Sequence, residues 1–304
     1  MNRRTFLAAA GAGMLAGGCG TGGICGIARG RCRFAINPAT IRGYKCSLRE
    51  QVRLSIEAGY EGIEPWLADL RAAKIAGELA DIRKMCEDGN LSIVNGIGFA
   101  HWAMPDSAAR AKGLEEMKAD MALVAEAGGR FIAAPPFGLQ KAGTPKVALD
   151  AFVEAYRAVL ELGDRMGVTP ILEFWGHSAN LSRLNEALYV ASASGHDNAA
   201  VLADVYHMYR GGSPYEGLRF LTARALPVLH MNDVPAQPAR EQLVDADRVW
   251  PGDGIAPWAY IRETMASCGL APWLSLELFN ASYWTTTPLE TLKTGLAKMK
   301  AVMA

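Results

Sequence analysis

The chain has 304 residues, with 31 Lys and Arg set against 31 Asp and Glu, and half of its residues are hydrophobic. That balance excludes a chain too polar to fold and leaves no basic excess for gripping nucleic acid. The length suits one large domain or two small ones, with enough apolar content for a sizeable core.

The first segment, Asn2-Arg3-Arg4-Thr5-Phe6-Leu7, precedes a run of Ala, Gly, Met and Leu that extends to Gly18. Paired arginines ahead of such a run read as an export signal of the twin-arginine kind, and the run is too short and glycine-rich for a membrane span. The expected location is therefore extracytoplasmic, either periplasmic or held at a membrane by lipid. Cys19 follows Leu15-Ala16-Gly17-Gly18 and resembles a lipoprotein processing site, although Ala16 stands where a large aliphatic residue is usual. Residues 1–31 read as leader and tether, and 32–304 as one folded domain. No cysteine pair has the tight CxxC spacing of a zinc ribbon, and export would permit Cys25 or Cys32 to pair with Cys46.

From residue 33 a short apolar run, a polar or Gly/Pro break and a stretch with helical spacing recur eight times. The predicted strands are 33–37, 62–65, 91–97, 131–134, 169–174, 201–204, 228–232 and 273–278. The predicted helices include 48–58, 72–88, 108–127, 147–166, 181–194 and 258–268, with a last one from 289. Eight such units with nearly continuous apolar strands predict an α/β fold, a single (β/α)8 TIM barrel. A doubly wound open sheet is the alternative, but no GxGxxG turn follows the first strand. The longest break, 233–250, is expected to form a lid or wall over the C-terminal barrel face.

Four of the last strands end on polar groups: Glu173, Asp204, His230 and Glu277. Strand C-termini face the usual barrel active site, and this set of oxygen and nitrogen donors suits a divalent ion such as Mn2+, Zn2+ or Mg2+. Each residue alone is more often structural. Three carboxylates buried together, however, need a cation or must take up protons.

The stretches Leu172-Glu173-Phe174-Trp175-Gly176-His177, Asp204-Val205-Tyr206-His207, His230-Met231-Asn232-Asp233, 247–254 and Leu276-Glu277-Leu278-Phe279 resemble the sugar phosphate isomerase/epimerase family of xylose isomerase-like barrels. Within that family the inosose (2-keto-myo-inositol) isomerases are the nearest in pattern, and Asn37-Pro38-Ala39-Thr40 and Gly62-Ile63-Glu64 also fit. The resemblance implies metal ligation by Glu173, Asp204, His230 and Glu277, proton exchange by Glu173 and Glu277, and substrate contacts from His207 and Arg248. Glu64, Trp66, Trp175 and His177 join the expected substrate site. Trp66 departs from the pattern, which has a polar or basic residue there, and so does the export leader.

The expected reaction is isomerisation or epimerisation of a keto-sugar or inosose through an enediolate, with a small keto-sugar or cyclitol as the partner and a homodimer compatible with the fold. A metal-dependent lyase of inososes or 3-keto-glycosides would use the same ligands. Noncatalytic carbohydrate binding is a third reading, and a DNA-repair nuclease on this fold is opposed by the neutral charge. His101 is a weaker candidate. Of Trp66, Trp102, Trp175, Trp250 and Trp258, about half are expected to be structural, with Trp66 and Trp175 as pocket walls.

Overall fold

The structure, a computed structural model, describes residues 31–304; the twin-arginine motif, Cys19 and Cys25 lie outside the described residues. Nine parallel segments make one sheet: β1 (Arg33–Ile36), β2 (Gly62–Ile63), β3 (Ser92–Ile93), β4 (Asn95–Gly96), β5 (Phe131–Ala134), β6 (Thr169–Glu173), β7 (Val201–Asp204), β8 (Val228–Met231) and β9 (Trp273–Leu276). Their order is β3-β2-β1-β9-β8-β7-β6-β5-β4. The two edge segments, β3 and β4, are separated in the chain only by Val94. The run 92–96 therefore pairs with β2 through its first half and with β5 through its second. The expected eight-stranded barrel is present, with its third strand interrupted.

Around the sheet lie α1 (Leu48–Ala58), α2 (Leu67–Ile75), α3 (Leu79–Asp88), α4 (Ser107–Ala127), α5 (Leu149–Met166), α6 (Leu184–Ala193), α7 (Val205–Gly211), α8 (Trp258–Cys268) and α9 (Pro288–Met303). The single helix expected over 72–88 is two helices. Gly77 adopts φ +72°, a left-handed conformation that ends the first. The helix expected from 181 begins at Leu184 because Leu181 itself is left-handed, at φ +53°. Cys32 and Cys46 are free thiols, which corrects the pairing considered between them. Cys32 immediately precedes β1, whereas Cys46 follows the 3-10 turn Pro38–Tyr44 beyond the strand's other end.

Alternation along the strands creates two cores. Ala35, Val94, Ala133, Ile171, Leu202, Val228 and Trp273 cluster together, apart from Ile36, Leu172, Ala203, Leu229 and Leu276, which pack in the cluster that includes the helices. With a side-chain period of two, the next position on the first face is Asn37 in β1, Glu173 in β6, Asp204 in β7 and His230 in β8. In β9 the same face continues from Trp273 through Ser275 to Glu277. The polar residues thus cap the inner barrel core at its C-terminal end.

The segment after β8 is stapled back onto the barrel. Asp233 and Val249 form an antiparallel bridge. The buried Asp233 carboxylate accepts from Val234 N at 2.8 Å, Gly252 N at 2.8 Å, Ala256 N at 2.9 Å and Trp258 Nε1 at 2.8 Å. One side chain thereby ties together both ends of the loop and the start of α8. Asp233→Ala strands these donors and is expected to destabilise the fold by about 2–4 kcal/mol, read as a lower urea midpoint. An unchanged midpoint would show that the loop is not held from this residue.

Candidate active site

Asp204 ends β7 and is at the same time the N-cap of α7. Its Oδ1 accepts from His207 N at 2.8 Å. The Asp-x-x-His spacing is therefore the spacing of a helix cap, and it brings His207 back beside the strand end. Asp204 Oδ2 accepts from Asn232 Nδ2 and Arg248 Nη1, both at 3.0 Å. Register on the sheet sets Asp204 opposite His230.

His230 is fully buried and its ring is held from both sides. Nε2 lies 3.0 Å from Glu64 Oε2, which also accepts from Asn95 Nδ2 at 3.1 Å. Nδ1 faces Glu277 Oε2 at 3.2 Å and Asp204 Oδ2 at 3.6 Å, yet makes no aligned hydrogen bond to either. Glu277 is oriented in turn by Asn37 Nδ2 on its Oε1 at 2.8 Å and by Arg248 Nη1 on its Oε2 at 2.7 Å. Trp66 Nε1 donates to Asn37 Oδ1 at 2.9 Å, so an indole at the pocket supports the amide behind Glu277.

Among the described residues, Asp204, His230 and Glu277 form a buried three-donor group whose ligand atoms lie within 4.8 Å of one another. Ligands about 2.1 Å from a tetrahedral ion stand roughly 3.4 Å apart. The two separations from His230 Nδ1 bracket that spacing, and Glu64 stands where a carboxylate commonly orients a metal-bound imidazole. The set fits a divalent ion. A second group, His177, His207 and Asp245, is less buried, with His177 exposed. Arg248 stands against both groups: Nη2 donates to Asp245 at 2.8 Å and sits 3.2 Å from His207 Nε2, while Nη1 donates to Asp204 and Glu277.

Burial raises the Glu173 carboxyl to about 8, with the charges of Glu277 and Asp204 adding to the effect and that of His230 opposing it. Burial would raise Asp204 as well, but Arg248, His207 and His230 outweigh it and hold Asp204 well below the usual carboxylate range. Burial lowers His207 to about 4 against the pull of Asp204, so its imidazole is neutral. Gly176 N donates to His207 Nδ1 at 3.2 Å, which makes that nitrogen an acceptor. A Cβ at Gly176 would press on the backbone of α7, so this contact needs glycine. A cavity of about 240 Å³ is lined by Glu173, Glu277 and His207 together with an aromatic wall of Trp66, Phe99, Phe137 and Trp175. The rings meet edge-on or tilted at centroid distances of 5.3–6.5 Å, and Trp175 stacks with His177.

A family profile described as xylose isomerase-like TIM barrel matches residues 52–302. The chain belongs to the xylose isomerase-like TIM barrel family. It is 26% identical over 192 residues to the inosose isomerase of Bacillus velezensis, covering 63% of this chain and 68% of that protein. It is 24% identical over 182 residues to the inosose isomerase of Bacillus subtilis, covering 60% and 65%. The chain thus spans about two thirds of the length of these relatives. Among solved structures, the IolI protein with a binding zinc atom superposes at a TM-score of 0.81 with 21% identity, covering 89% of this chain and 98% of that one. D-psicose 3-epimerase in the presence of D-fructose follows at 0.73 and 17%, covering 89% and 99%. At these identities the structural likeness establishes the fold.

Of the four ligands implied by the family pattern, the barrel gathers Asp204, His230 and Glu277 tightly, while Glu173 lies outside that group and lines the cavity with Glu277. His207, Arg248, Trp66, Trp175 and His177 also line it. Glu64 does not: it is wholly buried behind His230, so its contact is with the imidazole rather than the cavity. Arg248 pairs with Asp204, Glu277 and Asp245, and with neither Asp233 nor Asp247. His101 pairs with Glu116 away from the cavity. Trp102 is core, Trp250 stacks on Tyr283, and Trp258 anchors to Asp233. Asp245, Phe99, Phe137 and Gln140 belong to the cavity although no sequence signal marked them.

A carboxyl whose folded pKa lies above its unfolded value favours folding less and less as pH rises from the unfolded value through the folded one. Glu173→Gln removes that dependence. In the presence of chelator, the variant is expected to gain stability relative to the parent between about pH 5 and pH 9, read as a growing difference in urea midpoints. A constant difference would contradict the raised carboxyl.

Proposed function

We propose that the chain is a divalent-metal-dependent isomerase or epimerase acting on a keto-sugar or inosose. The observation that carries this reading is the buried group of Asp204, His230 and Glu277, whose Glu277 lines one ring-sized cavity together with Glu173. The curated relatives named inosose isomerase support it, as does the zinc atom of the IolI structure.

Asp204, His230 and Glu277 would hold the ion, with Glu64 and Asn232 fixing the orientation of His230 and Asp204. When bound, a Zn2+, Mn2+ or Mg2+ ion supplies Lewis acidity toward a carbonyl and its neighbouring hydroxyl. The protein's own groups carry the protons. Glu173 and Glu277 face one cavity from different strands, and one removes the proton beside the carbonyl while the other returns a proton to the neighbouring carbon or the opposite face. Neutral His207 lines the cavity beside Arg248, its Nδ1 taken by Gly176 N and its Nε2 3.2 Å from Arg248 Nη2. The aromatic wall offers flat apolar surface to a sugar or cyclitol ring and excludes water. Among the described residues lining the cavity, Arg248 is the one Lys or Arg, and its guanidinium is committed to three carboxylates. An unphosphorylated substrate suits such a cavity.

The purified protein and its Glu277→Gln variant, analysed for metal and incubated with inososes, ketohexoses and 3-keto-glycosides, test the reading. The expected outcome is stoichiometric metal and mass-conserving turnover that the variant loses by about 10²-fold or more. Turnover with loss of water or of an aglycone would assign the protein to the lyases instead. Absence of stoichiometric metal would remove the basis of the proposal. Glu64→Gln is expected to weaken metal binding by about 10–100-fold, measured by chelator competition, with the cavity intact.

The leader supports action outside the cytoplasm, with Cys19 as a site of lipid attachment. Replacing Arg3 and Arg4 with lysine is expected to leave the protein in the cytoplasmic fraction; unaltered export would refute the twin-arginine reading.

A further inference from the structure

We propose that the end of the barrel remote from the candidate active site binds a small phosphate-bearing molecule between Arg33, Arg83 and Arg130. Independently of the reaction proposed above, these residues line a cavity of about 550 Å³, more than twice the volume beside Glu173 and within the ordinary range of small-molecule sites. Three separate elements deliver the arginines: Arg33 opens β1, Arg83 lies on α3, and Arg130 immediately precedes β5. All three therefore stand at the N-terminal end of the strands, whereas the carboxylates stand at the other end.

The charge in this cavity is uncompensated. Arg83 Nε donates to Glu87 Oε1 at 3.0 Å, and Glu87 is the one carboxylate among the described residues lining the cavity. Among the described residues, Arg33 and Arg130 form no ion pair, and the nearby Glu61 is taken by Arg31. Two net positive charges thus collect in a concavity of a chain whose formal net charge is zero, so they do not reflect a generally basic surface. Concave walls of low dielectric focus such a field on an anion.

Two of the guanidinium groups are also held in place. The Arg33 guanidinium carbon sits 3.6 Å from the centre of the Trp273 ring, which fixes its plane by stacking. Arg83 Nη1 donates to Glu126 O at 3.3 Å and passes over Gly128, where a Cβ would come to 3.5 Å from Arg83 Nε. The planar guanidinium of Arg33, held by stacking and free of any ion pair, matches the paired oxygens of a phosphate, and Asn90 and Ser92 add neutral hydrogen-bonding groups to the lining. The phosphate belongs either to a soluble phosphate ester or to a lipid headgroup.

The test uses the full chain. Inorganic phosphate and glucose phosphate are titrated by calorimetry, and flotation is measured with vesicles of phosphatidylglycerol and of phosphatidylcholine. The variants are Arg130→Gln, Arg33→Gln/Arg130→Gln and a control of equal charge, Arg157→Gln/Arg219→Gln. The single variant keeps the test decisive should loss of the stacked Arg33 weaken the barrel. The proposal expects saturable binding of at least one phosphate probe, weakened about tenfold or more in both cavity variants and unchanged in the control. Binding of the soluble probes assigns the site to a free ester. Arginine-dependent flotation with phosphatidylglycerol alone assigns it to a headgroup. No saturable binding of any probe, or equal loss in the control, overturns the proposal.

Discussion

Charge that is denied water must be answered by charge, and this constraint organises the C-terminal end of the barrel. Asp204, His230 and Arg248 are almost wholly removed from solvent, and Glu173 and Glu277 nearly so. One guanidinium touches Asp204, Glu277 and Asp245, while one imidazole faces Glu64, Asp204 and Glu277. Each of these paired carboxylates therefore depends on a cationic neighbour that several others share, whereas burial leaves Glu173 to hold its proton. The amides of Asn37, Asn95 and Asn232 add hydrogen bonds that fix which oxygen points where. Such a network tolerates little rearrangement, as the proposed proton exchange by two carboxyl groups would require.

The barrel was legible because alternating apolar strands and amphipathic helices each carry their own period, and because the inward face of every late strand ends in a polar residue. Glu173, Asp204, His230 and Glu277 could be read in this way. What the one-dimensional pattern did not carry were relations across the barrel. Glu64 looked like a mouth residue because it follows β2, but whether it meets substrate or imidazole depends on a neighbour 166 positions away. Asp245, Phe99 and Phe137 sit in loops, where no periodicity reports facing. The split at Gly77 was missed because helical spacing of apolar residues resumes on its far side, and only the positive φ separates the two helices.

The two ends of the strands have opposite electrostatic characters. At one end, acids gather beneath aromatic rings and the single arginine among the cavity's described lining is paired with three carboxylates. At the other, arginines outnumber acids. A formal charge of zero conceals this polarity, since the sum over the chain averages two fields of opposite sign. The balance therefore argues against a generally basic nucleic-acid-binding surface while permitting strong local selectivity.

The loop that delivers Arg248 and Asp245 is pinned through Asp233 at its base and again through the Asp233–Val249 bridge. Its ordering entropy is settled once, when the chain folds, instead of being spent anew on every encounter with substrate. It is a wall of the chamber and not a door. Substrate exchange is then left to the rim formed by the aromatic side chains Trp66, Phe99, Phe137 and Trp175. Passage would follow the fast clock of side-chain rotation, with no slower loop closure to wait for.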